Sequence, residues 1–362
     1  MTSRERVVSA LHRRAPDRVP FAWGFGPTAE MAESLRRGLA EQGIDWERLR
    51  DAAADIRSIG PDYTGPTLPP DTDIWGIRRH RTSYGAGAYD EIAFCPLAEA
   101  ATPADIEAYP WPDPACYDYA GMGLRLDEVN PGRGLAIRSA VGNPFEIYCW
   151  MTGLETALVN VLANPDVVTA ALDRIAGFFL ERLRRLVAAC GGGMDILFFA
   201  DDLGTQQGLL MSREAYRGIL QPFHRRLFEF AHSAAPHASV MFHSDGAVSE
   251  VLPDLLDAGI DCLEAVQTDA AGMDPAALKR RFGSRMAFHG AISVQGLLPH
   301  GRPESVLREC RRLVDVLGKG GGYVAAPAHA IQVGTPVENV LAMLRGVLGE
   351  TEYERTLSRC SC

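Results

Sequence analysis

The chain has 362 residues, 47% of them hydrophobic and 23% charged, enough apolar material for one large α/β barrel or two ordinary domains. A net charge of −10 argues against nucleic acid or an anionic membrane surface as the main partner and leaves a small molecule as the expected one. No run approaches the roughly 18 apolar residues of a membrane span. The first residues mix charge with apolar side chains and lack a signal-type core, so a cytoplasmic protein is expected. The cysteines are scattered, with no CxxC pair, as befits reduced thiols, and the terminal Cys-Ser-Cys reads as a frayed tail.

Taken in order, residues 3–12 form a short amphipathic helix, 19–25 a buried strand and 29–42 a helix stopped by Gly43. Residues 55–89, rich in Pro, Gly and aromatic side chains, read as a long excursion over one end of the fold. The cluster Tyr109-Pro110-Trp111-Pro112-Asp113-Pro114 marks an ordered loop. Beyond it the pattern becomes regular. Strands are expected at 135–139, 195–200, 239–242, 261–266, 286–288 and 323–326. Helices are expected at 154–164, 167–190, 213–234, 248–258, 275–282, 303–317 and 338–348. Continuous apolar strands separated by helices imply parallel strands covered on both faces. The expected architecture is α/β, a single (β/α)8 TIM barrel over residues 1–350 with an N-terminal loop-rich excursion and a C-terminal tail at 351–362. A doubly wound sheet is the competitor, but it usually advertises a Gly-rich phosphate turn after its first strand. The triplets Gly191-Gly192-Gly193 and Gly320-Gly321-Gly322 instead end helices ahead of strands.

In a barrel, reacting side chains collect where strands end. Glu146, Asp201, Asp202, His243, Asp245, Glu264, Gln267, His289 and His329 stand at such positions. In Val240-Met241-Phe242-His243-Ser244-Asp245-Gly246 an apolar run ends on a histidine and a carboxylate two residues apart, which an extended strand points to one face. With His329 from a later strand end, His243 and Asp245 make a ligand set suited to zinc, iron or manganese. A lone strand-end histidine is more often a hydrogen-bonded structural residue, and His-x-Asp alone is a weak motif, so the reading rests on the three together. Glu146, Asp202 and His289 are the catalytic candidates, although His289, between Phe288 and Gly290, reads equally as a residue close to a ligand or a buried structural one. Glu146, between apolar neighbours, reads as a general acid of raised pKa or as a partner of Arg138. Asp201-Asp202 reads as a ligand-orienting pair, a substrate clamp or a helix cap, with Asp202 also a fourth-ligand candidate. Trp23, Phe25, Tyr148 and Trp150 read as core or pocket wall.

Several stretches carry a family resemblance. They are Arg4-Glu5-Arg6-Val7 through Pro16-Asp17-Arg18-Val19-Pro20, Gly142-Asn143-Pro144-Phe145, Ala200-Asp201-Asp202-Leu203-Gly204, His243-Ser244-Asp245-Gly246, and Ala326-Pro327-Ala328-His329-Ala330 with Thr335-Pro336-Val337-Glu338-Asn339. With them the chain resembles the uroporphyrinogen decarboxylase superfamily over nearly its whole length. The resemblance implies a single (β/α)8 barrel and two branches of chemistry: porphyrin-pathway decarboxylation, and zinc-dependent methyl transfer between corrinoid proteins and thiols or related acceptors. The decarboxylases carry an arginine-rich segment after the first strand. Here the matching Trp23-Gly24-Phe25-Gly26-Pro27 has no arginine, and Trp150 stands where their active-site tyrosine falls. The methyltransferases bind zinc through His-x-Cys and a later Cys. Here His243 is kept, with Asp245 and His329 at the cysteine positions. That exchange makes a harder centre of formal charge about +1, suited to polarising oxygen or activating water.

The expected function is therefore metal-dependent methyl transfer, with a divalent metal (zinc by resemblance), a separate corrinoid protein as methyl carrier and a homodimeric assembly inherited from the family. A lyase that decarboxylates a small carboxylated substrate, or less readily uroporphyrinogen, is the alternative. A degenerate barrel that only binds a ligand is the non-enzymatic one.

Overall fold

Seven strands, all but the first apolar and followed directly by a helix, pair in chain order into one parallel sheet: β1 Ile56–Ser58, β2 Ala136–Gly142, β3 Ile196–Ala200, β4 Ser239–His243, β5 Cys262–Glu264, β6 Ala287–Ile292 and β7 Tyr323–Pro327. The structure, a computed structural model, describes residues 1–85 and 87–361. Cys362 of the terminal Cys-Ser-Cys lies outside them.

The sheet closes through the segment at Phe21. Ala22 donates to the Ala325 carbonyl and Ala325 to the Pro20 carbonyl, while the Asp55 N–H donates to the Phe21 carbonyl just before β1. The expected strand at 19–25 is thus a single bridge, because Gly24 at φ +61° turns the chain away. This segment is nonetheless the eighth stave. Ala22, Ile56, Ala136, Ile196, Met241, Cys262, Ala287 and Val324, one from every stave, share a single buried cluster inside the barrel. Two residues further along come Arg138, Phe198, His243, Glu264 and His289, a mostly polar layer on the same inward face by the period of two.

The helix Ser3–Leu11 seals the opposite end with Val7, Ala10 and Leu11, all essentially inaccessible to solvent. Thr2 and Glu5 form a capping box that starts it. Arg6 donates to Asp17 at 2.7 and 2.9 Å and to Asp55 at 2.7 Å, and Arg18 reaches Asp55 at 2.8 Å. The charged motif at the chain's start therefore locks the plug onto β1.

Several expectations are corrected. The excursion begins only after β1; that strand went unread because its three residues, Ile-Arg-Ser, bury a single apolar side chain. It contains the antiparallel hairpin Arg78–Ser83 with Ala88–Phe94, and Asp62–Tyr63 pairs with Tyr117–Asp118. Trp75 packs it onto the long helix Pro165–Cys190, with ring centroids 4.8 Å from Phe178 and 5.7 Å from Phe179. Residues 144–152, assigned to no element from the sequence, form the helix Pro144–Thr152, started by Pro144 in the first turn. The expected tail is not frayed at its start. Glu350–Ser358 is helical, and buried Cys360 accepts the Asp45 N–H through its carbonyl. Among the described residues no helix is long and apolar enough to cross a membrane.

Candidate metal centre

The strand ends converge as the period of two requires. One ligand atom each from Asp202, His243 and Asp245 lies within 4.8 Å of the others. His243 Nε2 is 3.6 Å from Asp202 Oδ1, and His329 Nε2 is 3.8 Å from Asp245 Oδ2. The rings of His243 and His329 are 6.3 Å apart between centroids. Asp202 thus stands with the three residues expected to hold a metal rather than apart from them. Two carboxylates and two imidazoles would bring a dication to a formal charge of about zero, below the +1 of the three-residue set. Oxygen and nitrogen donors of this kind suit zinc or manganese.

The loops after β3 and β4 are tied together. The Asp245 N–H donates to Asp202 Oδ1 at 2.8 Å, Leu203 N–H to Ser244 Oγ at 2.9 Å, and Gly246 N–H to Gln267 Oε1 at 2.8 Å. Gly246 sits at φ +85°, and its Cα faces the Gly204 backbone so closely that an added Cβ would lie 2.6 Å from the Gly204 carbonyl carbon.

Behind the cluster, His243 Nδ1 is hydrogen-bonded to the buried Glu264 carboxylate, which leaves Nε2 aimed at the carboxylates. Burial opposes a charge on His243. The pairing with Glu264, aided by Asp245 and Asp202, outweighs it and raises the imidazole to about 9. Burial also opposes the charge on Glu264, but His243 and His289 hold its carboxyl well below the usual range. Burial pushes Asp245 up, assisted by Asp202 and opposed by His243 and His329. Metal uptake therefore has to displace a proton from His243. The sign for stability follows. A histidine raised from 6.5 to about 9 contributes stability that is complete below 6.5 and lost as pH rises through about 9. Metal-free protein is expected to lose about 3 kcal/mol from this source between those limits, and His243→Gln to flatten the curve. Urea unfolding in chelator across that range checks it.

Of the two readings of His289, its place in the structure matches the buried structural one. It is fully buried beneath the cluster, Nδ1 3.6 Å from Glu264 Oε1, with neither ring nitrogen hydrogen-bonded, and it does not line the pocket. Burial lowers its pKa. It can position Glu264 but cannot touch a substrate.

Glu146 does reach the pocket. It lies in the first turn of Pro144–Thr152, accepts from Asn143 Nδ2 at 3.0 Å, and is raised to about 7 by burial and by Asp201 and Asp202. Arg138, its expected partner, is engaged elsewhere, donating to Ser58 Oγ and the Gly24 carbonyl at 2.9 and 3.0 Å. Asp201 is a cap in trans: it accepts the Glu146 N–H at 2.8 Å and pairs with His224 Nε2 at 2.7 Å, whose Nδ1 is 3.0 Å from the Tyr216 hydroxyl. Its neighbour Asp202 faces the cluster.

A cavity of about 690 Å³ opens beside these groups, with Phe25, Glu146, Trp150, Phe198, Asp202, His243 and His329 among its walls. Trp23 and Tyr148 are core. Phe25, between positive-φ Gly24 and Gly26, stands 5.1 Å from the His243 ring and 5.0 Å from that of His329. Residue type alone marked Glu264 as polar at a strand end; its hold on His243 follows from the register His243↔Glu264 across β4 and β5.

Comparison with known proteins finds relatives in sequence and in fold. Over 202 residues the chain is 28% identical to the methylated-thiol–coenzyme M methyltransferase of Methanosarcina mazei, covering 56% of this chain and 50% of that protein. It is 29% identical over 221 residues to the methylcobamide:CoM methyltransferase of Methanosarcina barkeri, 58% of this chain and 59% of the relative. A uroporphyrinogen decarboxylase of Coxiella burnetii is 26% identical over 219 residues, 57% and 55% of the two chains. The chain thus spans about half to three fifths of the curated relatives it matches first. A solved methyltransferase from Methanosarcina mazei shares the fold over 96% of this chain and 98% of its own, with a TM-score of 0.66 at 19% identity. The family profile described as Uroporphyrinogen decarboxylase (URO-D) matches residues 96–348, from the hairpin's end to the last barrel helix and across the ends of β2 to β7. On that match, this histidine- and carboxylate-lined (β/α)8 barrel belongs to the uroporphyrinogen decarboxylase family.

Proposed function

We propose that the chain is a metal-dependent methyltransferase of this family, moving a methyl group between a corrinoid or related carrier, borne by a separate protein, and a small acceptor. The observation that carries the reading is the convergence of Asp202, His243 and Asp245, with His329 3.8 Å from Asp245, beside a 690 Å³ cavity that Asp202, His243 and His329 line. The methyltransferase names of two relatives support this branch. Those four side chains would hold the metal, zinc first among candidates, which when bound supplies Lewis acidity to an oxygen or sulfur of the acceptor. Glu264 fixes the tautomer of His243, and Asp201 holds the helix start that carries Glu146. Phe25 and Phe198 pack against the His243 ring. Above pH 7 the Glu146 carboxylate can take the acceptor's proton; below it the group is neutral.

A second reading, decarboxylation of a small carboxylated substrate, is favoured by one observation: Glu146 keeps its proton up to about 7 and could deliver it to a carbanion. The two readings differ in sign. Methyl transfer should rise with pH through about 7, and decarboxylation should fall. The test is zinc-loaded protein with methylcobalamin and a panel of small thiols and alcohols, followed by loss of the methyl–cobalt absorbance. Metal- and acceptor-dependent loss is expected, with Glu146→Gln about 100-fold slower and its pH limb removed. Carbon dioxide release with no acceptor would establish the lyase reading instead.

A further inference from the structure

The wall of the cavity away from the metal cluster contains one unclaimed cation. Of the residues lining the cavity, Arg182 is its lone Arg or Lys. The other charged group on that side, Asp73, is already committed: it accepts from the backbone N–H groups of Trp75 and Ile77 at 2.9 and 3.1 Å and pairs with Arg79 at 2.6 Å. Arg182 is not committed. Its Nε–H is buried without a hydrogen-bond partner. The nearest acid in sequence, Glu181, is taken by Arg184 at 2.7 Å and Arg185 at 2.6 Å. The face of the Arg182 guanidinium rests 4.9 Å from the centroid of the Tyr117 ring. Tyr117 is thus the side chain that Arg182 meets, through ring and hydroxyl, and among the described residues no carboxylate claims the guanidinium's remaining N–H groups, which can receive a planar or tetrahedral oxyanion. The helix Pro165–Cys190 places Phe178 and Arg182 four residues apart on one face, so an apolar wall leads to the charge.

We propose that Arg182 is an anion subsite and that the substrate is an elongated organic anion. Its carboxylate, sulfonate or phosphate end pairs with the guanidinium, its apolar body lies along Trp75 and Phe178, and its other end faces the histidine–carboxylate cluster. Only the choice of reacting end rests on the proposed function; the subsite itself stands on Arg182.

Trp75 and Trp150 line the cavity, so tryptophan fluorescence reports occupancy. The full chain, zinc-loaded and metal-free, is titrated with 4-phenylbutyrate, 4-phenylbutanesulfonate and 4-phenylbutyl phosphate, and with neutral 4-phenylbutyramide. At least one acid is expected to bind about tenfold or more tightly than the amide, and the ranking of the three names the headgroup. Arg182→Gln should bring that acid to the level of the amide, with amide affinity and melting temperature unchanged. Arg182→Lys should keep part of the preference. The preference should also persist without metal. A preference that survives in Arg182→Gln but vanishes on metal removal would place the anion on the metal and overturn the subsite while sparing the proposed function. Failure of the protein to bind metal, with the Arg182-dependent preference intact, would do the reverse. Equal binding of acids and amide, or no saturable response, also overturns it.

Discussion

Metal-free protein should take up one zinc ion per chain, and His243→Ala or Asp202→Asn should weaken that binding by more than about 100-fold, with methyl transfer lost alongside. The size follows from the donor set. His243 is the least exposed of the four donors and the one whose second nitrogen is fixed from behind. Removing it deletes a ligand and leaves Glu264 buried beside His289 without its main partner. Removing Asp202 deletes a ligand and the acceptor of the Asp245 N–H, so the second carboxylate loses its anchor. Glu264→Gln keeps every ligand and should cost less, roughly 10- to 100-fold, as loss of an orienting partner does. Competition against a chromophoric chelator gives all three constants. Unaltered affinity in both His243→Ala and Asp202→Asn would remove the metal reading and leave the barrel.

Gly246→Ala should destabilise by at least about 3 kcal/mol and weaken metal binding together with stability. Two causes add. At φ +85° an alanine is held in the left-handed region. The new Cβ would also sit 2.6 Å from the Gly204 carbonyl carbon and 2.6 Å from the Thr205 oxygen, backbone atoms that cannot rotate away. Relief requires the loops after β3 and β4 to separate, which pulls Asp202 from Asp245. Gly43→Ala is the control: φ is +71° with nothing within 4 Å of the new Cβ, so it should cost only about 1 kcal/mol. Urea midpoints of the two variants, read with chelator titrations, separate strain from collision. Equal midpoints would mean that the loops part freely.

The barrel was legible because its central strands are continuous apolar runs, and β3 and β4 fall where residues 195–200 and 239–242 predicted them. The closing stave was legible as the buried strand at 19–25, but β1 was not, because three residues are too short to carry a periodic signal, and the long-range bonds through Ala325 and Asp55 that close the sheet are invisible along the chain. Of the candidate site, the spacing of His243 and Asp245 is local and could be read directly. The place of Asp202 could be read only as an alternative, because a tandem Asp-Asp does not say which side chain turns inward. Here Asp201 is drawn off by His224 and the Glu146 N–H. His289 could be read either way, because inward-facing residues of one layer share a pattern whether or not they reach the cavity. Arg182 gave no signal, since an arginine in Glu181-Arg182-Leu183-Arg184-Arg185 reads as one more surface charge until its neighbours claim the acid.

The helix Ser3–Leu11 fills the far end of the barrel with Val7, Ala10 and Leu11. Traffic to the cluster is thereby confined to the rim. Whatever is consumed there and whatever is released share a doorway, so a bulky donor and its acceptor must take turns, and the order of arrival becomes part of the kinetics.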